Sequence, residues 1–224
     1  MDRGDSVQVL DHGLVRLVDY MGGDLAVSRS ARVSYDAEGR EEDKGLIKYL
    51  LINGHSTPFE STCITFEVKA PIFVFRQWHR HRTQSYNELS ARYRPLPEEF
   101  YVPEKDKITK QSKDNKQMRT DEQHPEAEEI QIAIIAANRA SFQVYKQLIR
   151  DECPRELARS VLPVGAFSHM FATANLFNWF RFCKERCHEH SQYEIRVYAN
   201  AIVKFLEGIA PIATNVFKDK YNIK

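Results

Sequence analysis

Apolar and polar positions alternate along this chain with two distinct periods. The runs Val7–Leu10 and Leu14–Tyr20 flank Asp11-His12-Gly13, a turn-forming sequence, and together predict a hairpin at the start of the domain. From Thr62 to Lys69, Ile64, Phe66 and Val68 alternate with Thr65, Glu67 and Lys69, as a half-buried strand requires. Elsewhere the spacing is helical. Asp24, after Gly22-Gly23, is placed to cap a short helix, and a second helix over about 41–53 carries Leu46, Tyr49 and Leu50 and stops at Asn53-Gly54. Pro71 stands where helices start, and the IFVFRQWHRHR that follows predicts a helix through about His81. Ile130, Ile134, Ala137, Val144 and Leu148 mark a long amphipathic helix over about 127–150, and Pro154 opens a short helix with Arg155 and Arg159 on one face. Residues 167–175 are ambiguous but strand-like, and 176–189 read as helix. A last long helix buries Ile195, Tyr198, Ala199, Ile202, Phe205 and Leu206. Few strands and several helices make this an α+β chain.

One segment follows neither period. Residues 104–126 hold twelve charged side chains in twenty-three, with only Ile108 and Met118 as larger apolar ones, and predict a solvated excursion or mobile loop. The remainder fits a single domain over 1–224, because 224 residues suffice for one large core and 13 Phe, 10 Tyr and 2 Trp supply material for it. No apolar run approaches the roughly 18 residues that span a bilayer, and the amino end lacks the apolar core of a signal peptide. The expected location is the cytoplasm, or a host's cytoplasm if the source is viral. Four scattered cysteines are too few for a disulfide scaffold. With 32 basic against 31 acidic side chains, the chain lacks the overall positive field of a non-specific nucleic-acid binder.

Candidate chemistry concentrates between Arg76 and Arg94, where five arginines and two histidines share nineteen residues with the single carboxylate of Glu88. On a helix running through His81, Gln77, Arg80 and His81 would share one face. Arginine forks match phosphate and carboxylate oxygens bidentately, so several arginines imply several anionic groups. A solvated basic face is the plain alternative. Against it, Ser85, Asn87, Ser90 and Tyr93 interleave neutral donors and acceptors, and Glu88 a carboxylate acceptor, among the arginines, as a nucleotide site does. Nine glycines form no G-x-G-x-x-G turn, and no cysteine sits in a convincing nucleophile context. A zinc site at Cys183, Cys187, His188 and His190 is disfavoured because one continuous helix does not bring all four around a metal. A nucleic-acid module with Trp78, Tyr86 and Tyr93 as stacking platforms is disfavoured by the balanced charge.

Arg80-His81-Arg82, then seven residues, then Ser90, within RHRTQSYNELSARY, resembles the signature of flavin-dependent thymidylate synthases. The similarity extends to Gly54–Glu60, Phe66–Pro71, Arg155–Pro163 and the register of Arg186, His190, Gln192 and Glu194. It implies that family's fold, a small, mostly antiparallel sheet packed by several helices, in a homotetramer with shared active sites. It also implies transfer of a methylene from methylenetetrahydrofolate to dUMP, with FAD, reduced by NADPH, supplying the hydride that yields dTMP. By the same resemblance Gln77, Arg80, Glu88, Leu89, Ser90, Ala91, Arg92, Arg159 and Arg186 bind dUMP, Arg186 also polarising the uracil ring. His55, Thr57, Arg80, His81, Arg82, Glu88, Asn175 and His190 are implied to contact FAD. Two departures stand out. Asn175-Leu176-Phe177 replaces the family's Asn-x-Arg, and Arg181 stands where Asn or His is usual, so Arg181 is a candidate replacement cation for the flavin. Plainer roles compete at four positions: Ser90 bracing a turn, His55 ending a helix, Arg159 pairing with a surface carboxylate, and His190 as a charge at a helix C-terminus.

Overall fold

The computed structural model describes residues 2–33 and 43–223. Ser6–Val9 (β1) and Gly13–Met21 (β2) pair antiparallel as the expected hairpin, with Val9 opposite Gly13. A Cβ on Gly13 would lie 2.0 Å from the Tyr198 hydroxyl and 2.5 Å from the Val9 carbonyl oxygen, so the turn needs glycine for close approach. Cys63–Pro71 (β3) pairs antiparallel with β2 on one side and with Phe167–Asn175 (β7) on the other. Ser85–Glu88 (β4) closes the far edge against β7, giving the order β1-β2-β3-β7-β4. The strand-like reading of 167–175 therefore holds, and β7 is interior, flanked on both sides.

Alternation in β3 turns Ile64, Phe66 and Val68 to one face, where all three are buried. Two helices cover that face, Leu176–Arg186 (α6) and Tyr193–Ile209 (α7): the Phe66 ring lies 5.0 Å from that of Trp179 and 5.5 Å from that of Phe205. Each such side chain contributes about 1.5–3 kcal/mol by leaving water. The buried stripe expected for the last long helix is the one observed in α7. α7 is not the last helix, however: the chain turns at Ala210 and forms another, Pro211–Tyr221 (α8), with proline in its first turn.

Asp24–Arg32 (α1) is the short helix expected after the glycine pair, but Asp24 does not cap it. Its carboxylate accepts from Ile212 N at 2.7 Å and Ala213 N at 3.0 Å, so it caps the distant α8 instead. Lys44–Ile52 (α2) begins behind an Asp43 cap that accepts from Leu46 N, and the expected start at 41–42 lies outside the described residues. It ends as predicted: Gly54 takes φ +75° and His55 N donates to Leu50 O at 2.9 Å.

Three further expectations change. Ile72–Trp78 (α3) stops short of His81; beyond it Arg80 N and His81 N donate to Gln77 O and Trp78 O in a tighter turn. Gln77, Arg80 and His81 therefore do not share a helix face: Arg80 is exposed, whereas the His81 ring packs 4.9 Å from that of Phe182. The long helix Ala127–Arg150 (α4) has its expected bounds, but its buried residues are Ala127, Phe142 and Tyr145, while Val144 and Ala137 from the predicted stripe are exposed. The charged segment is folded: Thr109–Gln111 (β5) and Arg119–Gln123 (β6) form a two-stranded hairpin, Ile108 is buried, and Arg119 pairs with the buried Glu194. Backbone pairing and the ion pair from the partly exposed Arg119 to the buried Glu194 anchor it where an apolar face is missing. Arg155–Ala158 (α5) is the short helix expected after Pro154, continued by a turn of 3₁₀ helix from Arg159.

Candidate active site

The end of α3 is fixed by aromatic packing, and this fixes the Arg-rich turn. Trp78 is buried against Phe182 at 4.4 Å, and its indole N–H donates to Gln84 Oε1 at 3.0 Å. The Tyr86 hydroxyl donates toward the carbonyls of His81 at 2.7 Å and Trp78 at 3.1 Å, and burial raises its pKa to about 12, so it remains a donor. On this turn, Arg186 from the end of α6 donates from Nε to His81 Nε2 at 2.9 Å and from Nη2 to Gln77 O at 3.2 Å. Two of its donor groups are thus committed to protein, and the third, without a protein partner among the described residues, can face a ligand.

His81 must be neutral to accept that bond. Burial first, then Arg186 and Arg181, lower its pKa to about 4, with Glu185 opposing them. A histidine depressed from its ordinary 6.5 binds fewer protons folded than unfolded, so stability is retained above pH 6.5 and lost as pH falls from there toward 4. With allowance for solvent screening the loss is on the order of 1–2 kcal/mol. Thermal unfolding at pH 7 and pH 5 should show a smaller drop for His81→Asn than for the parent, and an equal drop would remove His81 as the cause.

A second group surrounds a groove of about 710 Å³. Glu88, Leu89, Ala91 and Arg159 of the predicted nucleotide set line it, with Arg76 and Ser168 among its other polar walls. The far end of β4 places Glu88, whose Oε1 accepts from Ser168 Oγ at 2.9 Å. Just outside the lining set, Ser90 braces its turn, accepting from Tyr93 N through its carbonyl and from Arg92 N through its hydroxyl, and Arg92 is exposed. Among the described residues Arg159 makes no carboxylate pair; its Nε lies 3.4 Å from Glu156 O. Arg76, His79, Ser160 and Ser168 also line the groove, although none belongs to the predicted nucleotide set. Arg76 and His79 lay in view at helical i, i+3 spacing in the Arg-rich stretch, but Ser168 reaches the groove only through β4–β7 pairing, which no local signal announces.

Of the remaining predicted flavin contacts, Arg80 and Arg82 flank His81 and Arg181 acts on its charge, whereas His55, Thr57, Asn175 and His190 lie on other elements. His55 is exposed at the end of α2, its ring stacked 5.8 Å from Tyr49, and Thr57 starts the short 3₁₀ turn that follows. Asn175 caps α6, accepting from Asn178 N at 2.9 Å. At 1.5 Å per residue it lies about 16 Å along that helix from Arg186. Arg80, Arg82 and Arg181 are exposed. His190 is exposed in the loop before α7, 4.8 Å from the His188 ring, and not at a helix end. Cys183 is buried, and burial pushes its thiol well above the ordinary value, the opposite of an activated nucleophile.

A family model described as thymidylate synthase complementing protein matches residues 16–212. The chain is 42% identical over 213 residues to a flavin-dependent thymidylate synthase of Wolbachia pipientis, covering 94% of this chain and 75% of that one. It is also 42% identical over 215 residues to one of Treponema pallidum, covering 94% and 70%. Among solved structures it resembles PolB from Streptomyces cacaoi, a UMP/dUMP methylase bound with 5-Br dUMP, at a TM-score of 0.85 and 32% identity over 95% of this chain and 97% of that one. With a family model matching residues 16–212 and two relatives 42% identical over 94% of this chain, the chain belongs to the flavin-dependent thymidylate synthase family.

Proposed function

We propose that this protein is an FAD-dependent thymidylate synthase that methylates dUMP to dTMP, with methylenetetrahydrofolate as carbon donor and NADPH as reductant. The observation that carries the reading is Arg186, a half-buried guanidinium held by His81 and by the Gln77 carbonyl, with donors left over. Burial lowers its pKa, yet a guanidinium stays charged at neutral pH. A fixed cation of this kind stabilises negative charge developing at N3 and O2 of a uracil ring. Glu88, Leu89, Ala91 and Arg159 would hold the nucleotide from the groove, with Gln77, Arg80, Ser90 and Arg92 completing its contacts.

The donor set fits a dinucleotide flavin. Arg80 and Arg82 expose guanidinium forks suited to phosphate, Arg181 adds a third where Phe177 offers none, and His190 exposes its ring. His55, Thr57, His81, Glu88 and Asn175 would complete that site. FAD supplies the hydride that converts the transferred one-carbon unit to a methyl group.

We further propose a homotetramer with shared sites. The residues assigned to one ligand fall into separate groups on one chain, and α4 leaves Ile132 and Val144 59% and 50% exposed. No helix among the described residues is long and apolar enough to cross a membrane, which fits the expected cytoplasmic location.

Anaerobic incubation with FAD, NADPH, dUMP and methylenetetrahydrofolate tests the reading. dTMP should form in the complete mixture and disappear when NADPH, dUMP or methylenetetrahydrofolate is omitted, or when FAD is withheld from protein stripped of its flavin. Formation without flavin, or none in the complete mixture, would overturn it.

A further inference from the structure

We propose that Glu194, paired with Arg119 of the charged hairpin, is a positioning residue that sets which end of the Gln77 side-chain amide faces the nucleotide. The inference rests on the assignment of Gln77 to the dUMP site. Glu194 lies in the first turn of α7 and is 2% exposed. Its Oε1 accepts from Arg119 Nη2 at 3.0 Å and from the Tyr101 hydroxyl at 3.1 Å, and its Oε2 accepts from Gln192 Nε2 at 2.8 Å. Gln192 Oε1 in turn accepts from Gln77 Nε2.

The direction of this chain follows from donor and acceptor inventory. A carboxylate in an ion pair has no proton to give, so Gln192 must turn its NH₂ group toward Glu194. Its carbonyl then faces Gln77, which must answer with its own NH₂. That leaves Gln77 Oε1 as the outward atom, an acceptor for an N–H or O–H of the ligand. Arg119 and Tyr101 hold the far end: burial and the Glu194 charge raise the Tyr101 pKa, keeping it a donor, and Arg119 also donates from Nη1 to Lys107 O at 3.1 Å. The hairpin thereby acquires a role in nucleotide recognition, transmitted through two amides that would otherwise be free to flip.

The experiment compares the holoenzyme with Glu194→Gln, Gln192→Met, their double variant, Arg119→Met and Arg119→Lys, recording kcat, KM for dUMP, flavin content and dUMP affinity. Glu194→Gln and Gln192→Met should each raise KM roughly tenfold while kcat changes less than about threefold and flavin content holds, and the double variant should be no worse than either single one. Arg119→Met should raise KM in the same direction and Arg119→Lys should restore most of it. Affinities for 3-methyl-dUMP and for the 2′,3′-dideoxy monophosphate show whether the ring imide or the sugar hydroxyl is the donor that Gln77 meets. Additive effects in the double variant, an unchanged KM, or a parallel loss of kcat and flavin would overturn the relay. A parent enzyme that neither binds dUMP nor forms dTMP would instead overturn the functional reading. Gln192 is exposed, so its variant remains informative if Glu194→Gln fails to fold.

Discussion

Arg186→Ala is expected to fold, to keep its flavin, and to form dTMP roughly 100- to 1,000-fold more slowly, the cost of removing one preorganised donor at a developing anion. Retention of the fold follows from position: Arg186 is the last residue of α6, only half buried, and the core residues of that helix, Trp179, Phe180, Phe182 and Cys183, all precede it. The large kinetic effect follows from preorganisation. His81 and the Gln77 carbonyl fix the guanidinium before any ligand arrives, so little reorganisation accompanies the chemical step. Arg186→Lys should recover little, since one ammonium on a flexible stem cannot serve His81, the Gln77 carbonyl and a ligand in the same fork geometry. Single-turnover dTMP formation, with flavin absorbance per chain as the control, checks both variants. Turnover of Arg186→Ala within about threefold of the parent would remove Arg186 from the chemistry.

How much of this was legible before the structure depends on the range of each interaction. The first hairpin, β3, α4 and the stripe of α7 announced themselves because period and turn chemistry are local properties. The Asp24 carboxylate did not, because its partners at Ile212 and Ala213 lie nearly the whole chain away, and its own neighbourhood suggested a nearer helix. β4 carried too few apolar residues to show a period, and its pairing with β7 is what brings Glu88 to Ser168. The charged segment was misleading for a related reason: composition counts charges, but Arg119 meets Glu194 only through tertiary contact. At the site, the Arg-His-Arg turn was conspicuous in the sequence. Its division into an Arg186–His81–Gln77 cluster and a separate groove was not, since that depends on where α3 ends.

Trp78→Ala should be the most destabilising change at that end of α3, costing about 3–5 kcal/mol. Its ring is enclosed by Phe182 at 4.4 Å, Tyr198 at 6.2 Å and Trp179 at 6.5 Å, all on two helices that cannot both collapse into the void. At about 2–4 °C per kcal/mol for a chain of this size, the melting temperature should fall by roughly 10 °C. Trp78→Phe separates packing from hydrogen bonding. It keeps most of the ring contact but strands Gln84 Oε1, a buried acceptor now served by the indole N–H at 3.0 Å, at about 1–3 kcal/mol. Adding Gln84→Leu to Trp78→Phe removes the stranded group at similar volume, so the double variant should melt above Trp78→Phe alone. If it melts lower, the indole bond is not what joins the Arg-rich turn to the core, and ring packing alone holds the turn in place.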